Sequence, residues 1–126
     1  MAGRNESSAD VSDFLADAVN KETRETALYI EQELVRKAAV DKGMLRANFI
    51  ASVGAPDSSE VDGEDLTGSS TINAAFSVIA TAKPIKYPTI YVQNNLPYAY
   101  RIMETGYSKQ TPPKALSLTI QAAVNK

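Results

Sequence analysis

The sequence predicts an α+β class: a small, mostly antiparallel sheet packed by a long N-terminal helix and shorter helices, in a single domain. Three observations predict it. Val11, Phe14, Leu15, Ala18 and Val19 recur at the i, i+3, i+4, i+7, i+8 spacing of one helix face. Leu45, Ala47, Phe49, Ala51 and Val53 alternate with Arg46, Asn48 and Ser52 at the period of a half-buried strand. Thr89-Ile90-Tyr91-Val92-Gln93 is rich in strand formers and runs into the turn pair Asn94-Asn95.

Taken in order, residues 1–9 are small and polar and read as a flexible arm, solvated or gripping a neighbouring subunit. The domain proper is 10–126. The first helix spans about Asp10 to Ala39, its buried face continuing through Ala27, Ile30, Leu34 and Ala38 while Lys21, Glu22, Glu25, Glu31 and Lys37 take the other side. Ser8 or Asp10 can cap its start, Gly43 can end it, and the break in the stripe at Glu22 to Thr26 suggests a kink. Gly43 turns the chain into the first strand, which places Arg46 on the wetter face, either solvated or paired with a carboxylate such as Glu104 or one on a neighbouring subunit.

Residues 54–70 read as an exposed acidic loop. They carry Asp57, Glu60, Asp62, Glu64 and Asp65 with no basic residue, and their spacing does not fit a calcium-binding loop. Ile72, Ala75, Phe76, Ile79 and Ala82 predict a second helix over Thr71 to Ala82, stopped by Lys83-Pro84 and Tyr87-Pro88. The strand at Thr89–Gln93 is expected to pair antiparallel with the one at Leu45–Val53. Pro97 then starts a short helix with Tyr98, Ile102 and Met103 on one side; Gly106 ends it and Pro112-Pro113 prevents a restart. Ala115 to Val124 fits both periods, since Leu116, Leu118, Ile120, Ala122 and Val124 alternate while Leu116, Ile120, Ala123 and Val124 share a helix face; helix is preferred.

Composition narrows function. The 126 residues suit one core, and an apolar share of 44% suits a folded chain. Cysteine and histidine are both absent, which removes thiolate chemistry, the commonest zinc ligands and the usual general base near neutral pH. Thirteen basic residues against fifteen acidic ones give a net charge of −2, with no drive toward nucleic acid or anionic membranes. No signal peptide and no run of ~18 apolar residues is found, so the expectation is a soluble chain. No catalytic, cofactor-binding or metal-binding residue is assigned, and an enzyme is the weaker expectation.

Two stretches carry a resemblance. Val40-Asp41-Lys42-Gly43-Met44-Leu45-Arg46-Ala47-Asn48-Phe49, followed by Asn94-Asn95-Leu96-Pro97-Tyr98-Ala99, Glu104-Thr105-Gly106-Tyr107-Ser108 and Gln110-Thr111-Pro112, resembles the tail-completion or tail-terminator family of tailed bacteriophages, over about residues 10–124. Its pattern is a long first helix, a turn into a strand, a variable loop and a late Pro-Tyr-Ala segment. Lys42 stands where the family usually has Thr, and Lys114 where Gly is common. The resemblance implies a virion protein of the head–tail junction, forming a ring, commonly six-fold, that ends the tail tube and joins it to the head-side connector. The motif positions Gly43, Leu45, Arg46, Asn95, Pro97, Tyr98, Ala99, Glu104, Gly106, Ser108, Gln110 and Pro112 would then shape or line its contacts. DNA would pass through the lumen without sequence readout, and an acidic loop facing that channel would repel it. A head-side adaptor or a minor tail protein stays open as the alternative.

Overall fold

The computed structural model describes residues 8–40 and 43–125, with side chains from residue 11 onward. The described residues fold into five helices and a two-stranded antiparallel sheet, the α+β class expected. In chain order these are α1 (Ser8–Lys37), α2 (Met44–Ala47), β1 (Ile50–Val53), α3 (Ser69–Ala80), β2 (Ile90–Gln93), α4 (Ala99–Met103) and α5 (Ala115–Val124).

Helix α1 is the element against which the others pack: α3, α5 and β2 all lie along it. Strand β1 pairs directly with β2 in the register Ile50–Gln93, Ala51–Val92, Ser52–Tyr91 and Val53–Ile90. Successive side chains of a strand alternate faces, so Ala51, Val53, Ile90 and Val92 share the inner face and Ile50, Ser52, Tyr91 and Gln93 the outer one. Two core clusters result. One joins Leu34, Val35 and Ala38 of α1 to Leu45, Phe49, Leu96, Ala99, Met103 and Ala115. The other joins Ala27 to Ala51, Ala75 and Ile79. Glu31 lies one turn from Ala27 and one from Val35, is fully buried, and so sits between the two clusters on the same side of α1.

Several expectations are corrected. The first strand is shorter than 45–53: Met44–Ala47 forms a helical turn and pairing starts only at Ile50. Gly43, at φ 84°, launches that turn, and Ala47 N–H donates to the Gly43 carbonyl at 3.0 Å. Helix α1 runs unbroken through Glu22 to Thr26 and includes Ser8 and Ala9, which the sequence assigns to the arm; the rest of the arm, 1–7, and Asp41 and Lys42 lie outside the described residues. Val11, Phe14, Leu15, Ala18 and Val19 are exposed, and Ala16 and Asn20 are buried instead. Glu31, placed on the polar side, is buried. Phe76 points outward from α3. Pro97 precedes α4 by two residues, and Tyr98 takes the cap position. The last segment is the helix preferred, and it buries the small residues Ala115, Thr119 and Ala123 while Leu118, Ile120 and Val124 face outward.

Candidate interaction surface

The two motif stretches come together in space. The Asn94 amide donates to the Leu45 carbonyl at 3.0 Å. The Val40 N–H donates to Gln110 Oε1 at 2.8 Å, and the Thr111 hydroxyl donates to the Lys37 carbonyl at 2.7 Å. The segment after α4 is thereby fastened to the chain that leaves α1, satisfying backbone groups that have no partner inside a helix. Lys37 completes the link by donating through Nζ to Thr119 of α5 at 2.8 Å.

The acidic loop is exposed along most of its length, yet hydrogen bonds tie it to the rest of the fold. Asn95 Nδ2 donates to the carbonyls of Asp57 and Ser59, both at 2.8 Å. Gln93 Oε1 accepts from Asp57 N–H at 2.6 Å. Asn48, fully buried, exchanges two hydrogen bonds with the Val61 backbone. The Gly43 carbonyl accepts from Asp65 N–H at 3.0 Å. Two of the five acids are used within the fold. Asp57 accepts from the Ser59 side chain and backbone, which hold its carboxyl below the usual range. Asp65 feels burial pushing it up, but hydrogen bonds from Thr71 and Gly68, with the Arg46 charge nearby, hold it down overall. Its oxygens accept from Thr71 N–H, Thr71 Oγ1 and Gly68 N–H, so Asp65 covers the open donors at the start of α3.

Arg46 and Glu104 do not pair. The guanidinium donates to the carbonyls of Leu66 at 2.7 Å and Arg36 at 3.0 Å, pinning the loop to the end of α1. Glu104 accepts from Ser117 N–H at 3.0 Å and Ser117 Oγ at 2.7 Å, at the first turn of α5. Those bonds, with a smaller effect of Lys114, hold its carboxyl below the usual range. Leu45 and Ala99 are buried in the core. Gly106, at φ 77°, lies where a side chain would meet the Pro113 ring at 2.9 Å. Ser108 Oγ accepts from Gln110 N–H, and the Pro112 carbonyl accepts from Ala115 N–H. Lys114 has φ 62°, the left-handed region in which glycine is unstrained.

What remains outward is an open cleft of about 590 Å³ between the two stretches, walled by Met44, Leu45, Glu64, Tyr98, Arg101, Ile102, Tyr107, Ser108 and Gln110. Arg101 lies 4.2 Å from the centre of the Tyr107 ring, a cation–π contact that holds both side chains. Tyr98, Tyr100 and Tyr107 are exposed, with apolar rings and polar tips suited to a protein partner. Arg101, Asn48, Asn94 and Thr111 were not foreseen as site residues. Asn48 and Thr111 lie within the motif stretches, but nothing in those stretches marks their side chains as buried tethers.

Compared with known proteins, the chain matches no family model, no curated protein and no solved structure. No helix among the described residues is long and apolar enough to cross a membrane.

Proposed function

We propose that this chain is a structural subunit of the head–tail junction of a tailed bacteriophage, assembling as a ring, six-fold in the commonest form, that ends the tail tube and joins it to the head-side connector. The observation that carries the reading is how the motif residues are used. Gly43 and Gly106 take positive φ, and Lys114, at the position where the family commonly has glycine, takes it too. The Asn95 and Gln110 side chains are spent on holding distant backbone in place, although Gln110 also lines the cleft. A motif spent on backbone geometry supports a role in shape and contact.

The exposed tyrosines and the cleft beside them then offer a docking wall, and the loop at 54–70 offers a second surface that its tethers present in one conformation. DNA passing through such a ring would meet backbone and carboxylates without sequence readout. The test is imaging of particles assembled without this chain. Filled heads lacking joined tails, or tails of uncontrolled length, are expected; normal infectious particles would overturn the proposal.

A further inference from the structure

The first third of α1 has two sides. At about 100° per residue, buried Ala16 and Asn20 lie across the helix from Val11, Phe14 and Ala18. The subunit grips the buried side. Asn20 donates to carbonyls of the 82–85 turn, and Lys86 pairs with Asp13 at 2.7 Å. The other side faces outward, with Phe14 exposed to 72% and Val11, Leu15 and Val19 exposed to between 46% and 57%. These four side chains leave on the order of 400 Å² of contiguous apolar surface in water, as much as the largest patch on a typical monomer.

The same chain carries an apolar groove elsewhere. Further along α1, Ala27, Ile30 and Leu34 line one side of an open groove of about 470 Å³, Ile90 and Val92 of β2 and Leu116 and Ile120 of α5 line the rest of its apolar surface, and Glu22, Thr23 and Thr26 of α1 add polar groups. Helix α5 buries Ala115, Thr119 and Ala123, while Leu116 is only partly buried against the core and Ile120 is exposed, so these larger side chains edge the groove.

We propose that the N-terminal third of α1 from one copy of this chain docks in the groove between α1, β2 and α5 of the next copy. An amphipathic helix offering anchors at i, i+3, i+4 and i+8 is the shape that an apolar groove accepts. Stripe and groove are different surfaces, so each pairing leaves one of each unused. The contact therefore propagates head to tail, and closes if the rotation permits. A stripe pairing with its own copy would stop at two subunits. The available area bounds the size of one contact. About 400 Å² on the helix side is roughly half of the ~800 Å² that one partner contributes to a standard interface. One contact alone is weak, and closure of a ring supplies the rest. The proposal deepens the ring reading by naming its surfaces, and rests on that reading for closure.

The experiment is sedimentation velocity of the full chain over a concentration series, with Phe14→Glu on the stripe and Ile120→Glu on the groove wall. Both positions are exposed, and thermal unfolding confirms that each variant folds. Wild type is expected to self-associate with concentration, and each variant alone to do so at least about tenfold more weakly. Mixing the two is the deciding measurement: Phe14→Glu keeps an intact groove and Ile120→Glu an intact stripe, so the mixture forms pairs and nothing larger. Association unaffected by either variant would overturn the proposal while leaving a ring built through other surfaces. No pairing on mixing would overturn the head-to-tail geometry, and so would a wild type that stays monomeric at every concentration. Mixed pairs from a chain whose removal leaves normal particles would retain this contact and remove the tail-junction reading.

Discussion

Asn48 and Val61 pair like two residues of adjacent strands, although only one of them uses its backbone. Asn48 Nδ2 donates to the Val61 carbonyl at 2.9 Å, and Val61 N–H donates to Asn48 Oδ1 at 2.6 Å. The same Nδ2 donates to the Met44 carbonyl at 2.9 Å, so one buried amide closes the helical turn of α2 and anchors the acidic loop. Asn48→Ala leaves the Val61 groups and the Met44 carbonyl short of partners, at a cost of about 2–4 kcal/mol. Denaturant unfolding measures that loss, and hydrogen exchange over residues 57–64 is expected to speed up before the rest of the chain is affected.

Asn20 plays the matching part at the other end of the fold. Its Nδ2 faces the carbonyls of Ala82 at 3.0 Å, Lys83 at 2.9 Å and Ile85 at 2.7 Å, and its Oδ1 accepts from Arg24 at 2.8 Å. Three carbonyls converge on one donor group, so the sign of a substitution follows from charge. Asn20→Ala removes the donor, at a cost of roughly 1–3 kcal/mol. Asn20→Asp sets a carboxylate against three carbonyl oxygens and is expected to cost more than the alanine change, despite its closer shape. Equal losses for the two variants in chemical denaturation would show that the amide hydrogens are not what holds the turn.

These two asparagines show where the sequence was readable and where it was not. The second helix and the strand at Ile90–Gln93 were legible because period and flanking prolines agreed. The stretch from Leu45 failed because Leu45 and Phe49 are four apart, a spacing that satisfies both a strand's alternation and one helical turn; the deciding feature was the left-handed φ of Gly43. The stripe at Val11 to Val19 was a true helical pattern, but periodicity does not say whether a face meets its own core or another molecule. The sequence leaves Arg46 either solvated or paired with a carboxylate such as Glu104, whereas its partners are backbone carbonyls, which every residue carries and no side-chain pattern reveals. Buried Asn20, Asn48, Thr111 and Thr119 were missed for the same reason: their partners are set by tertiary approach.

Two glycines with nearly equal φ separate backbone strain from steric contact. Gly43 (φ 84°) and Gly54 (φ 88°) both lie in the left-handed region. A Cβ on Gly43 would stand 2.6 Å from the Asp65 backbone, whereas one on Gly54 would meet nothing within 4 Å. Gly54→Ala therefore reports the conformational cost alone, about 1 kcal/mol. Gly43→Ala adds displacement of the loop at Asp65 and is expected to cost roughly 3 kcal/mol or more. A thermal melt of each variant checks the difference, and similar shifts would mean that the 65–66 backbone yields easily.

Glu31 and Glu104 predict opposite responses to pH. Glu104 is held below its usual range by Ser117, so its contribution is present above the unfolded carboxyl range and fades as pH falls through the folded value. Glu31 runs the other way. It is buried between the two core clusters, neither carboxyl oxygen has a hydrogen-bond partner, and burial pushes it from 4.5 up to about 8. Below pH 4.5 the folded and unfolded carboxyls are both protonated and Glu31 costs nothing extra in charge. As pH rises from there to about 8 the unfolded chain releases its proton while the folded one keeps it, so stability falls across that window. At about 1.4 kcal/mol per unit the total is on the order of several kcal/mol. Glu31→Gln removes the ionisation and keeps the shape. It is expected to flatten the decline between pH 5 and 8 and to leave the variant more stable than wild type at pH 8, as read by urea unfolding at each pH. A wild type whose stability does not fall over that range would show that the carboxyl reaches water in the folded chain.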